Sequence, residues 1–236
     1  MSYQVSFGRI SDQKVFESKE YQRWNDGVSI QEVTEDLIGK LSSEISAMFG
    51  YDSVTVSKKW LQIGWDNGPV IKPFLNAGMY SKSGHLIFNT FFLAFLAQQY
   101  GKDVIVGVLA HEVGHRMVYL TLQSRGHTVD AWPNELCADF IAGLILRLSQ
   151  RDQNTMIRFF RYYASRGSAS HPDGANRIAA LEKGYTWVDR DSRGVFLSVP
   201  RFAKTIDTRG IFTADALGKI LLDEIITPFQ QHGRLT

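Results

Sequence analysis

His111-Glu112-Val113-Gly114-His115 is the stretch of sequence from which the fold can be worked out. Two histidines four residues apart lie on one face of a helix, where their imidazoles can share a zinc ion, and the glutamate between them lies beside that ion. Residues 104–109 are mostly apolar, so we predict a buried helix over 104–123, with Asp103 as its N-cap. Gly114 leaves space for another segment to approach the motif.

The residues leave the third metal ligand open among several candidates. A metzincin has a histidine six residues after the second histidine, but that position is Thr121 here. His127 lies in a polar loop and is more simply a surface residue. Glu135 and Asp139 share one face of a second predicted helix, so one carboxylate can bind zinc while the other accepts the ring N–H of a ligating histidine. Cys137 points away from that face and is predicted to be a buried thiol.

Three segments together resemble a known family. HEVGH at 111–115, ELCAD at 135–139 and SHPDGANRIAAL at 170–181 are similar to the motifs of gluzincin zinc metallopeptidases of the HtpX and CAAX prenyl protease type. The similarity is greatest to their soluble, single-domain bacterial relatives, and it covers roughly residues 76–185. It implies that Glu135 is the third zinc ligand and that Asp139 orients a ligating histidine.

The same resemblance brings two further segments to the site. Asn76-Ala77-Gly78 is similar to the edge strand on which these enzymes bind the substrate backbone, and His171-Pro172 with Arg177 matches a turn near the active site. His171 or Arg177 is a candidate for stabilising the oxyanion of the tetrahedral intermediate. The alternatives are that His171-Pro172 caps the following helix and that Arg177 pairs with an acid. Three tyrosines are other candidate donors, with packing as their default role: Tyr80, Tyr162 and Tyr163.

The composition narrows the class of protein. With 236 residues, 44% of them hydrophobic, the chain can bury a core without disulfides, and it has one cysteine. The net charge of +2 gives no reason to expect a nucleic-acid partner. We recognise no signal peptide, and the most apolar segment, 86–97, is too short to span a bilayer. The sequence therefore predicts a cytoplasmic protein without an integral membrane segment, and leaves its oligomeric state open.

These patterns predict an α+β fold: a helix-dominated, zincin-like metallopeptidase domain with a small sheet ahead of the HExxH helix. Val5 and Phe7 mark a short edge strand, and further strands are predicted at 54–63, 70–80 and 86–89. Helices are predicted at 29–50, 90–100, 135–151, 155–165, 175–183 and 214–229, with Ser29, Glu32 and Asn134 as capping residues. We expect an N-terminal segment of unclear role at 1–28, a metallopeptidase core at 29–186 and a C-terminal extension at 187–236 packed on the same domain.

Taken together, the motifs predict a zinc endopeptidase with one Zn²⁺ per chain. His111, His115 and Glu135 bind the metal, and Glu112 accepts a proton from the water that attacks the peptide bond. The partner is then a peptide or protein substrate, extended along 76–80. Two alternatives stay open: a zinc-containing regulatory or binding module with little activity, and a non-peptidase zinc amidohydrolase. Restraint of the activity by 1–28 or by the tail is a hypothesis without a sequence signal.

Overall fold

The protein combines many helices with a small sheet. The computed structural model describes residues 5–6, 33–51, 54–59, 61–64, 70–74, 76–191 and 214–235. In this part of the chain the strands are β1 (Val5–Ser6), β2 (Thr55–Lys58), β3 (Leu61–Gly64), β4 (Val70–Pro73), β5 (Ala77–Tyr80) and β6 (His85–Phe88). The α-helices are α1 (Glu35–Ala47), α2 (Thr90–Tyr100), α3 (Asp103–Thr121), α4 (Ala131–Leu148), α5 (Asn154–Tyr163), α6 (Gly174–Asp191), α7 (Ala214–Leu221) and α8 (Thr227–His232). The predicted helix-dominated α+β class is confirmed.

The larger sheet lies next to the helix that carries the HExxH motif. Its four described strands run in the order β1-β5-β6-β2; β5 is antiparallel to both neighbours, and β6 is parallel to β2. β3 and β4 form a separate antiparallel pair. The predictions of single extended pieces at 54–63 and 70–80 were wrong, because each piece divides into two strands that belong to different sheets. The short edge strand predicted around Val5 is present, while Phe7 lies outside the described residues.

Two helix starts differ from the predicted ones. α1 begins at Glu35, where Thr34 Oγ1 accepts a hydrogen bond from the Leu37 N–H at 3.1 Å; Ser29 and Glu32 lie outside the described residues. Asp103 is the first residue of α3 and not its N-cap. Its carboxylate instead accepts hydrogen bonds from the Arg151 guanidinium and the Asp152 N–H, both at 3.0 Å.

Two close helix contacts bring the motif-bearing segments together. A methyl group on Gly114 of α3 would lie 2.9 Å from the Cα of Ala138 in α4, so only glycine permits this approach. Methyl groups on Gly143 of α4 and Gly184 of α6 would each lie 1.9 Å from a backbone oxygen of the opposite helix. α4 therefore lies between α3 and α6 at backbone contact, and the three motifs meet at one place.

The tail packs onto the same core. α7, the π-helical turn Leu222–Ile226 and α8 lie against α3 and α4. They bury apolar side chains in the common cluster, among them Leu217, Leu221, Ile225 and Leu235. In the described ranges, none of the helices is both long and apolar enough to cross a membrane.

Candidate metal centre

Three side chains from two adjacent helices converge on one point. His111 and His115 come from α3 and Glu135 from α4, and all three are buried. The two Nε2 atoms lie 3.0 Å apart, and oxygens of Glu135 lie 3.5 Å from Nε2 of His111 and 3.6 Å from Nε2 of His115. Ligands about 2.1 Å from one ion at tetrahedral angles lie about 3.4 Å from one another. The donor atoms therefore have the spacing of ligands to a single zinc ion.

The far nitrogen of each imidazole has its own acceptor. Nδ1 of His111 lies 2.7 Å from Oδ1 of Asp139, and Nδ1 of His115 lies 2.7 Å from Oδ1 of Asn134. With a proton held on each Nδ1, both Nε2 lone pairs face each other and the Glu135 carboxylate. Acceptors directed at one buried point repel one another unless a cation lies between them. On this observation the residues fit a metal ion.

The pKa values of the cluster residues also favour a metal ion at this point. Neither carboxylate oxygen of Glu135 accepts a hydrogen bond from a described residue, although both are buried. Burial raises the pKa of Glu135, but His115, His111 and Arg177 outweigh burial and hold that pKa below its ordinary value. For the two histidines, burial acts in the opposite direction and lowers the pKa. At His111 this effect is outweighed by Asp139 and Glu135, which raise the pKa to about 9. At His115 burial prevails and the pKa falls to about 4. Without a metal, the neighbouring carboxylates therefore favour the protonated form of His111, and a metal ion would displace that additional proton.

Glu112 lies beside this cluster without belonging to it. Its carboxylate is fully buried, and neither oxygen accepts a hydrogen bond of ordinary geometry from a described residue. Burial raises the pKa of Glu112 to about 8, against the opposing effects of the His111 charge and the Met79 backbone N–H. A carboxyl group with a pKa near neutrality can both take up and release a proton at physiological pH, as a general base must.

Arg177 acts on the centre through its contact with Asp139. Its guanidinium is 1% exposed and donates to both oxygens of Asp139, at 2.8 Å from Nε and 2.9 Å from Nη2, and it lies 4.3 Å above the ring of Phe160. Of the two roles left open, pairing with an acid is the one that the geometry shows. Asp139 in turn holds His111, so the chain of contacts Arg177–Asp139–His111 fixes the orientation of one metal ligand.

His171 reaches the centre from the loop before α6. Its Nε2 lies 3.6 Å from Oε1 of Glu135, and its side chain is 17% exposed. Nδ1 lies 2.8 Å from the hydroxyl of Ser170. The helix-cap alternative for His171 is wrong, because Asp173 caps α6 by accepting the Asn176 N–H at 3.0 Å. Among the sequence-predicted catalytic groups, His171 therefore combines proximity to the centre with partial exposure.

Asn76-Ala77-Gly78 opens the strand that lies next to α3, but the strand is not at an edge. Asn76 Oδ1 accepts the Ala77 N–H at 2.9 Å, and the Asn76 carbonyl accepts the Asn89 N–H at 2.9 Å. On the other side of β5, the strand Val5–Ser6 is already paired. The edge position implied by the resemblance is therefore corrected: an internal strand replaces the expected free one.

The remaining candidates from the sequence have packing or surface roles in the structure. Tyr162 is 73% exposed, and Tyr163 packs against the rings of Tyr100 and Phe159. Tyr80 contacts the ring of His85, with the ring centroids 6.0 Å apart. His127 is exposed and Cys137 is fully buried, and burial raises the pKa of the Cys137 thiol.

Asn134 contacts the cluster in a way that the sequence prediction missed. It was predicted to cap a helix beginning at Glu135, but α4 begins at Ala131 and Asn134 lies in its first turn. Its amide oxygen instead orients His115. Its position directly before Glu135 was the sequence feature that could have indicated this contact, because it brings the Asn134 side chain close to the histidines that Glu135 faces.

Comparison with known proteins adds no relative. No family model matches the chain. Neither the search of curated proteins nor the search of solved structures finds a match. The resemblance to gluzincins therefore stays a prediction from the motif residues.

Proposed function

We propose that this protein is a zinc-dependent endopeptidase with a zincin-like fold and one zinc ion per chain. One observation carries the proposal: two oriented imidazoles converge with a buried carboxylate whose oxygens accept no hydrogen bond from a described residue, and a second buried carboxylate, Glu112, lies beside them without being a ligand. A purely structural metal site has no use for such an extra carboxylate, which is costly to bury. A hydrolytic site needs it as a base.

The metal and the protein have separate tasks in this proposal. Zinc held by His111, His115 and Glu135 would polarise a carbonyl and lower the pKa of a water molecule. Glu112 accepts the proton of the attacking water and passes it to the leaving amine. It is buried beside the cluster and neither of its oxygens has a hydrogen-bond partner among the described residues, so both oxygens are available for this transfer.

His171 and Arg177 have different roles in this proposal. His171 lies close to Glu135 and is partly exposed, so we assign to its imidazole the stabilisation of the oxyanion. Arg177 donates through Nε and Nη2 to the two oxygens of Asp139, and we assign to it the positioning of His111.

A peptide substrate is favoured over another amide by the combination of motifs. The glutamate third ligand, the ExxxD spacing and the His-Pro turn occur together in the peptidases that this sequence resembles. β5 also runs beside α3, and an extended chain that replaced Val5–Ser6 there would form main-chain hydrogen bonds with it.

The test compares two Glu→Gln variants on fluorescent casein. Glu112→Gln should retain one zinc per chain and lose activity by roughly 10²-fold or more, because an amide cannot accept the proton. Glu182→Gln, an exposed glutamate on α6, is the matched control and should behave as the unmodified protein. Activity that survives in Glu112→Gln contradicts the assignment of the base. Zinc binding without hydrolysis of casein or of a peptide library would favour the regulatory-module alternative.

A further inference from the structure

The outer side of β5 can be identified from its hydrogen bonds. In an antiparallel ladder, successive residues point their N–H and C=O alternately to one neighbour and to the other. The Asn76 carbonyl accepts the Asn89 N–H, so even-numbered residues face β6, and Ala77 and Met79 face the opposite side. On that side Val5 lies directly opposite Met79, and the two residues form a hydrogen-bonded pair.

The β1 pairing lies next to the catalytic base. Met79, the residue of β5 opposite Val5, also lies close to the Glu112 carboxylate. The side chains of Glu112 and of the three metal ligands are 0–1% exposed. A peptidase must admit a peptide to these groups, so the described arrangement is a closed form of the site.

We propose that the strand Val5–Ser6 is an internal blocking strand, which occupies the edge of β5 where an extended peptide substrate binds. This inference rests on the proposed function for the identity of the competing ligand. β1 and a substrate backbone require the same N–H and C=O groups of Met79, so they exclude each other. Within the described residues the pairing spans two residues, and a contact of that length is weak enough to be displaced. A strand tethered to the same chain nevertheless competes at a high effective concentration.

The register of β1 provides a matched pair of variants. Val5 faces β5 with its N–H, so Val5→Pro removes a ladder hydrogen bond. Ser6 has its N–H on the other side, so Ser6→Pro introduces the same ring without removing such a bond. Both changes are made in the full chain, loaded with zinc and carrying Glu112→Gln so that the probe is not cleaved.

The probe is a fluorescent synthetic peptide with the sequence of residues 2–9, SYQVSFGR, and binding is measured by anisotropy. The Val5→Pro chain should bind it at least about tenfold more tightly than the parent, because the edge is no longer occupied. The Met79 amide should also exchange faster with solvent deuterium in the Val5→Pro chain without peptide. The Ser6→Pro chain should match the parent in both measurements.

Equal peptide affinity and equal Met79 exchange in all three chains would overturn the proposal, as would an equal gain in Ser6→Pro. Casein cleavage, measured with Glu112 restored, separates this inference from the proposed function. Val5→Pro should lower KM by a similar factor at unchanged kcat. Tighter peptide binding with no cleavage in any chain would uphold the blocking strand and contradict the peptidase.

Discussion

Replacement of Arg177 by methionine should strongly destabilise the metal-free protein. The guanidinium is 1% exposed and makes two hydrogen bonds, at 2.8 and 2.9 Å, to an Asp139 carboxylate that is itself fully buried. Removing one partner of a buried ion pair leaves the other charge uncompensated and costs about 3–5 kcal/mol. Methionine retains much of the apolar contact with Phe160, so the loss in free energy of unfolding measures mainly the missing partner of the Asp139 carboxylate.

The assay is urea unfolding at pH 7 with a chelator present, which removes any contribution of the metal. Arg147→Met is the control, since that arginine pairs with Asp189 at the surface, where the two side chains are 38% and 55% exposed. It should cost less than about 1 kcal/mol. Adding Asp139→Asn to Arg177→Met should recover part of the loss, because the carboxylate that has lost its guanidinium partner becomes a neutral amide. A loss in Arg177→Met no larger than in Arg147→Met would refute the reasoning.

Three further predictions concern the neighbours of this pair. Asn134→Leu should weaken zinc affinity by about 10–100-fold in a competition titration with a chromogenic chelator, because His115 loses its Nδ1 acceptor; unchanged affinity would remove Asn134 from the site. In protein freed of metal by a chelator, the Glu112→Gln variant should have a higher free energy of unfolding than the unmodified protein. This difference should grow as pH rises from about 4.5 to above 8. The pKa of the buried carboxyl is about 8, against an ordinary value of 4.5. The destabilisation caused by its ionisation is therefore absent at low pH and reaches up to about 5 kcal/mol above pH 8; a pH-independent difference would contradict the buried charge. Gly114→Ala should cost about 1–3 kcal/mol in thermal unfolding, since the new methyl lies 2.9 Å from the Ala138 Cα, and a neutral effect would show that α3 and α4 can separate freely.

The site was predictable from the sequence wherever local helical geometry determines it. The spacing of four residues places His111 and His115 on one face of α3, and the same spacing places Glu135 and Asp139 together on α4. Small residues at Gly114 and in the facing helix indicated a close approach. These inferences need only the period of a helix and the chemistry of the side chains.

The parts that were not predictable depend on partners far apart in the chain. Asn134 is a favourable capping residue by type, and its contact with His115 in another helix decides its actual role. β1 is two residues long, so its pairing with β5 leaves no periodic signal. The break between β2 and β3 was not predictable either. Both segments are extended and contain apolar residues, so their sequence resembles one strand, and the division arises because they pair in different sheets.

The most direct test of the central claim is an anomalous difference map at the zinc edge from crystals of protein purified without chelator. The account predicts one peak per chain, about 2.0–2.2 Å from Nε2 of His111, Nε2 of His115 and a carboxylate oxygen of Glu135, with Glu112 outside bonding distance. Crystals without a peak at these three side chains, or with Glu112 or Asp139 as a ligand in place of Glu135, would contradict it.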